Sequence, residues 1–322
     1  MSGITEFNAA ANADTEREHE IQVGLLRELC RVAGAKGDPA VVAEILARLI
    51  DYSEAHFASE ELLMRMKSYD DYEDHIEDHA QMLDTLRGEG VAVGVAPHSV
   101  RAAPREALRE LAAYANQHQL PLHMHVSEQP QENAECQAEH ACSPVALLAA
   151  SGCLERPGGF TAVHAIHLEA ADFAALAGHN VCACPTTEAD LGDGIIPVAD
   201  HLRHGVHLAL GSDSNAVIDL VQEARLLEMH ERLRTRSRLC LADADGQVGR
   251  PLLAIATRGG ARSLGRAELG ELRVGAPFDA CTVDLGHPSL AHLDPADALD
   301  ALLLSGTAAP IDRVFVGGVR RL

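Results

Sequence analysis

The sequence predicts an α/β protein: five βα units with parallel strands, preceded by an all-α segment of three helices and followed by a short β segment. Three observations lead there. Up to Gly88 the chain is helical in period and rich in charge, with 19 Asp+Glu against 8 Lys+Arg. After Gly90 short apolar runs alternate with helix-like stretches, the pattern of buried parallel strands joined by crossover helices. From Leu269 the texture becomes strand-rich. The implied domains are 1–88, 89–268 and 269–322.

The elements follow in order. Three helices are expected at about 14–34, 38–66 and 69–87. Asp38-Pro39 reads as an N-cap followed by proline at the first helical position. The runs VAVGVA, LPLHMHV, FTAVHAI, NVCACP and VHLALGSD place parallel strands near 91–96, 121–126, 161–166, 180–184 and 207–211. Between them, PREALRELAAYANQHQ and SPVALLAASGCL read as helices. Together these units suit an α/β barrel or a doubly wound sheet. The last segment reads as strands in ELRVGAPFDACTVDL and IDRVFVGGVRRL.

Composition narrows the function classes. The 322 residues allow two ordinary domains or one large one, and 47% are hydrophobic, enough for real cores. The net charge of −22 argues against nucleic acid and against an anionic membrane, since both need a basic face. Aromatics are 3% and Trp is absent, so base-stacking platforms are not expected. The eight Cys form no CxxC and read as reduced thiols of a cytoplasmic protein. The first residues lack a signal-peptide pattern, and no apolar stretch reaches the ~18 residues of a membrane helix. The expected partner is a small anionic substrate, with no nucleic acid and no membrane; a homo-oligomer is left open. The 18 His matter most, because imidazole is the commonest metal ligand.

Five metal-ligating residues fall on the expected helices. His56 and Glu60 are four apart on one face, as are His75 and His79, and His19 sits on the first helix. Imidazole and carboxylate projecting inward from adjacent helices is how bundles build di-iron sites. EREHEIQVGLL, HFASEELLM and HIEDHAQML resemble the bacterial hemerythrin family. The resemblance implies a di-iron centre that binds O2, with His19 and His56 on one iron, His75 and His79 on the other, and Glu60 bridging. The family's fourth helix has no counterpart here. His167 and Asp172 have the spacing of its ligand pair but stand in the strand-and-loop region.

Four further motifs close the expected strands, where barrel enzymes keep their chemistry. They are Ala96-Pro97-His98-Ser99-Val100-Arg101, His123-Met124-His125-Val126-Ser127-Glu128, Val163-His164-Ala165-Ile166-His167 and Gly211-Ser212-Asp213-Ser214-Asn215. His125 and Asp213 offer a neutral imidazole and a carboxylate, which suit zinc. Zinc brings the pKa of bound water to about 7. Glu128 stands three residues beyond His125 and suits general acid work. His164 can polarise the water or shuttle its proton. Arg101 offers a planar fork for a carboxylate.

Residues from about Val91 to Leu322 resemble the amidohydrolase superfamily, and within it the formimidoylglutamate deiminases of histidine degradation. PHSVRA, HMHVSEQ and above all CPTTEADLGDGI carry that likeness. The resemblance implies strands four to eight of a (β/α)8 barrel and hydrolysis of N-formimino-L-glutamate to N-formyl-L-glutamate and ammonia. It implies His125 and Asp213 as zinc ligands, Glu128 as general acid, His164 as the water-assisting base, and His98 and Arg101 as substrate-binding residues. The superfamily's first strand carries a His-x-His pair that completes the zinc site. Nothing before Gly90 matches it, so two of four ligands are missing and His164 or His123 is the candidate third. Weak zinc and activity far below that of the intact family are therefore expected. The alternatives are a non-haem di-iron O2 or redox module, and an inactive fusion.

Overall fold

The computed structural model describes residue 31 and residues 92–213, 218–291, 293–305 and 307–322. The chain divides into two units, Met1–Ala92 and Val93–Leu322. Apart from Arg31, the helical segment expected over 14–87 lies outside the described residues, and with it His19, His56, Glu60, His75 and His79.

The second unit is built on four parallel strands, β1 Leu122–Val126, β2 Phe160–His164, β3 Asn180–Ala183 and β4 His207–Leu210, in that spatial order. Each matches an expected strand to within about two residues, a margin usual for element ends. The first expected strand, 91–96, is corrected. Val95 makes only an isolated parallel bridge to Leu122, and Ser99 another to His125. The reason is local. Val95 N–H donates to the Pro121 carbonyl and its own carbonyl accepts from His123 N–H, both at 2.9 Å. Pro97 then has no N–H to extend the ladder.

Helices follow the strands: α1 Arg105–His118 before β1, then α2 Pro130–His140 and α3 Pro144–Ala150 between β1 and β2. α4 Ala170–Ala175 precedes β3; α5 Pro185–Leu191 and α6 Val198–Arg203 precede β4; α7 Leu220–Thr235, α8 Gly249–Ala254 and α9 Gly260–Ser263 follow it. Their ends are written in the sequence. Ser143 Oγ accepts from Ala146 N–H ahead of Pro144, and Asp219 accepts from Val221 and Gln222 N–H. α1 buries Ala107, Leu108, Ala112 and Ala115 and ends at Gln119 in the left-handed region.

Register sorts the sheet into two faces. Met124, Ala162, Val181 and Leu208 lie in one row and are all buried. Each large apolar side chain there contributes about 1.5–3 kcal/mol by leaving water. The opposite face carries the row His125, Val163, Cys182 and Ala209, of which the first three are half-buried. His125 therefore projects from the more open face, whereas His164, in register with Val126, stands at the end of the other row. His123 shares the more open face, one row further from the strand's carboxyl end.

The C-terminal stretch holds a second, antiparallel sheet of β5 Ala280–Val283, β6 Ile311–Val316 and β7 Val319–Arg320. Gly317 and Gly318 close the β6–β7 hairpin with φ of 57° and 78°, as a two-residue turn of this hand requires. Between β5 and β6, α10 Ala298–Ser305 packs on α7 and α8. Asp300 accepts from Gly249 N–H at 2.7 Å and so satisfies the start of α8.

Candidate metal centre

His125, near the carboxyl end of β1, is held from behind. Its Nδ1 lies 2.8 Å from the His98 carbonyl oxygen. A carbonyl can only accept, so Nδ1 carries the proton and Nε2 is left as a donor of electrons. That Nε2 stands 3.7 Å from Asp213 Oδ1. The ring of His98 lies beside it, with centroids 4.8 Å apart, and His98 Nδ1 pairs with Ser99 Oγ at 2.9 Å.

His164 ends β2 and is fully buried. Its Nδ1 faces Glu188 Oε1 at 3.4 Å. Its Nε2 lies 3.6 Å from Asp213 Oδ2 and 3.8 Å from Glu128 Oε1, and it has no hydrogen-bond partner. One ligand atom each from His125, His164 and Asp213 lies within 4.8 Å of the others. Two imidazole nitrogens and a carboxylate oxygen, one nitrogen buried and unpartnered, fit a divalent cation. Among the described residues this is the one such group of three. His123 is not part of it. Its Nε2 is 2.7 Å from the Ser263 carbonyl, so of the two candidate third ligands the structure brings up His164.

Backbone strain marks the same place. Ser127, His164, Ala165 and Asp213 all have φ between 49° and 69°. For residues with a Cβ, the left-handed region costs roughly 1–3 kcal/mol each and persists where the surroundings fix it. Here it turns the chain at the ends of three strands, so that side chains from separate strands meet. Little in the sequence announces it: of the four residue types only Asp and His are enriched there, and even for them it is uncommon.

Glu128 sits at the rim of this group. Arg101 Nη2 donates to its Oε2 at 2.6 Å, and Arg101 Nε lies 4.0 Å from Glu132 Oε2. The fork expected to hold a substrate carboxylate is thus engaged with two carboxylates of the chain itself. Its side chain remains 29% exposed. Glu132 is buried, and burial pushes its carboxyl above the usual range, against the pull of the Ser127 backbone and the Arg101 charge. In His125 the neighbouring Asp213 carboxylate raises the imidazole pKa more than burial lowers it. A proton therefore competes with a cation for this site.

Residues that the motifs did not assign complete the surroundings. Glu188 and Asp193 both come from CPTTEADLGDGI. Gln129 Nε2 donates to Asp193 Oδ1 at 3.1 Å, and His167 Nε2 lies 2.7 Å from the Asp193 carbonyl. Burial raises the Asp193 pKa against that Gln129 bond. His167 is thereby a loop anchor, while Asp172 bonds Ser143 and the Glu169 N–H at the start of α4. His201, fully buried on α6, pairs through Nε2 with the Ala165 carbonyl at 3.0 Å, one residue from His164.

Comparison with known proteins decides the family. The sequence pattern of the amidohydrolase family matches residues 1–321. The chain belongs to the amidohydrolase family. Among curated relatives, a formimidoylglutamate deiminase of Pseudomonas aeruginosa is 34% identical over 301 residues, covering 92% of this chain and 61% of the relative. A 5-methylthioadenosine/S-adenosylhomocysteine deaminase of Desulforudis audaxviator is 33% identical over 246 residues, covering 72% of this chain and 54% of that protein. Among solved amidohydrolase-like structures, an adenosine deaminase from Xanthomonas campestris with bound zinc superposes with a TM-score of 0.71 at 25% identity, over 78% of this chain and 56% of that one. An amidohydrolase from Brucella melitensis gives 0.66 at 32% identity, over 75% and 53%. The chain thus spans between about half and three fifths of these relatives' lengths, and its sheet is part of the family's barrel. Among the described residues, no helix is long and apolar enough to cross a membrane.

Proposed function

We propose that the chain is a metal-dependent hydrolase of an amidine C–N bond, with zinc as the metal and N-formimino-L-glutamate as substrate. The observation that carries this is the convergence of His125 Nε2, His164 Nε2 and Asp213 on one point, with Glu128 3.8 Å from His164. The 34% identity to a named formimidoylglutamate deiminase supports the substrate. So does CPTTEADLGDGI, whose Glu188 and Asp193 both border the site.

Bound at this site, a divalent ion supplies Lewis acidity and acidifies coordinated water. The chain's own residues do the rest. His125 and Asp213 would hold the ion, with His164 as the third ligand or as the base that takes a proton at Nε2. Glu128 gives a proton to the departing nitrogen, which leaves as ammonia while water supplies the formyl oxygen. Arg101 and His98 hold the substrate's carboxylates. Arg101 also keeps Glu128 in place through its 2.6 Å bond. Three protein ligands hold zinc less firmly than four, so easily chelated metal and low turnover go with this reading.

The test is ammonia release from N-formimino-L-glutamate with added zinc, compared with 5-methylthioadenosine and adenosine. Release from the formimino compound alone supports the proposal. Release from a purine nucleoside alone reassigns the substrate. No release from any of them leaves an inactive fusion. A second reading rests on the paired spacings of His56 with Glu60 and His75 with His79, beside His19. It assigns a di-iron O2 site to the segment that the sequence expects to be helical. Bound iron with an oxo-to-iron absorption band supports it, and iron-free protein removes it.

A further inference from the structure

The carboxylate of Glu188 has no part in the mechanism above, yet it is buried against the site's most buried imidazole. Glu188 is 1% exposed and His164 0%. Glu188 sits in the first turn of α5, three residues after Pro185, and its Oε1 accepts from the N–H of Cys184, the residue before the helix, at 2.9 Å. That bond, from the residue just ahead of the helix, satisfies a backbone donor and fixes the carboxylate to the start of the helix. The same Oε1 lies 3.4 Å from His164 Nδ1. The other oxygen, Oε2, is buried with no hydrogen-bond partner.

We infer that Glu188 is the positioning residue for His164. An ionised carboxylate only accepts, so an imidazole nitrogen facing it must carry the proton. Nδ1–H then points at Glu188, and the lone pair of Nε2 points between Asp213 and Glu128. Without that acceptor the neutral ring is free to take the other tautomer, because Nε2 faces two carboxylates. That tautomer can neither ligate a cation through Nε2 nor take a proton there. Glu188 also resists the alternative of turning the ring, since it is anchored by a backbone bond of its own. His125 achieves the same result with a backbone carbonyl. The two imidazoles are thus locked from behind by different acceptors, so that both Nε2 atoms face Asp213. This explains in part why a Glu stands at this point of CPTTEADLGDGI.

The inference rests on His164 belonging to the site, and its test does not need turnover. Nitrogen-15 NMR of the metal-free full chain reads the His164 tautomer directly. Wild type is expected to show Nδ1 protonated and Nε2 bare. Because both bonds go to one oxygen, Glu188→Gln keeps an acceptor there and should keep the tautomer, with zinc affinity within about threefold. Glu188→Ala should give a mixture of tautomers and lose about 10–100-fold in zinc affinity, as outer-shell carboxylates do. A wild-type His164 protonated on Nε2 overturns the inference whether or not any variant folds. So does Glu188→Ala with an unchanged tautomer and unchanged zinc affinity. Ammonia release by wild type in either case would leave the functional reading standing on its own.

Discussion

His201 offers a calculable perturbation close to the site. It is fully buried, and burial pushes its pKa down to about 4, more than the bond to Ala165 raises it. Its Nδ1 is buried with no partner, so an added proton there would find no acceptor. The sign follows. The folded state resists the proton while the unfolded chain takes it at about 6.5, so stability is complete above that value and is lost as pH falls toward 4. Two and a half pH units amount to about 3 kcal/mol in total, and about 2 kcal/mol between pH 7.5 and pH 5. His201→Gln keeps an N–H donor for the Ala165 carbonyl but does not titrate. Urea unfolding at both pH values should show wild type losing about 2 kcal/mol more than the variant on acidification. Equal losses would refute the reasoning and place a charged or solvated His201 in the fold.

Three further outcomes are expected. Gly259→Ala drives its Cβ into the Leu208 carbonyl oxygen of β4, and neither backbone can move freely; a loss of about 3 kcal/mol in urea unfolding is expected, the upper end for overpacking. Zinc binding to the metal-free chain should weaken as pH falls, beginning above the ordinary His range, because Asp213 raises the His125 pKa; proton uptake on zinc removal, followed by calorimetry in two buffers, checks it. Burial pushes the Cys136 and Cys153 thiols up to about 12, whereas Cys281 is exposed; brief iodoacetamide treatment at pH 8 should label Cys281 and spare the other two by mass mapping.

Much of this fold is legible in the sequence. Parallel strands buried on at least one face are written as short apolar runs, and four of them stand where the runs stand. The first run, VAVGVA, failed because hydrophobicity does not report a ladder. Pro97 interrupts pairing two residues after Val95. The candidate ligands were legible singly, as His or Asp at strand ends. Their meeting was not, because it depends on left-handed backbone at Ser127, His164, Ala165 and Asp213, which non-Gly residues rarely adopt. The bond of Arg101 to Glu128 was hidden for another reason. The two lie 27 residues apart, and either could equally have faced substrate. Glu188 had a local signal, a carboxylate three residues after Pro185 at a helix start. That signal announces an acidic first helical turn and says nothing of the imidazole behind it.

The central claim is that His125, His164 and Asp213 form one cation site. Zinc titration of the metal-free full chain against a chromophoric chelator tests it most directly, with His125→Ala and Asp213→Ala alongside wild type. Saturable binding in wild type, weakened at least about tenfold in each variant, is the predicted result. Equal zinc affinity in all three proteins would contradict it.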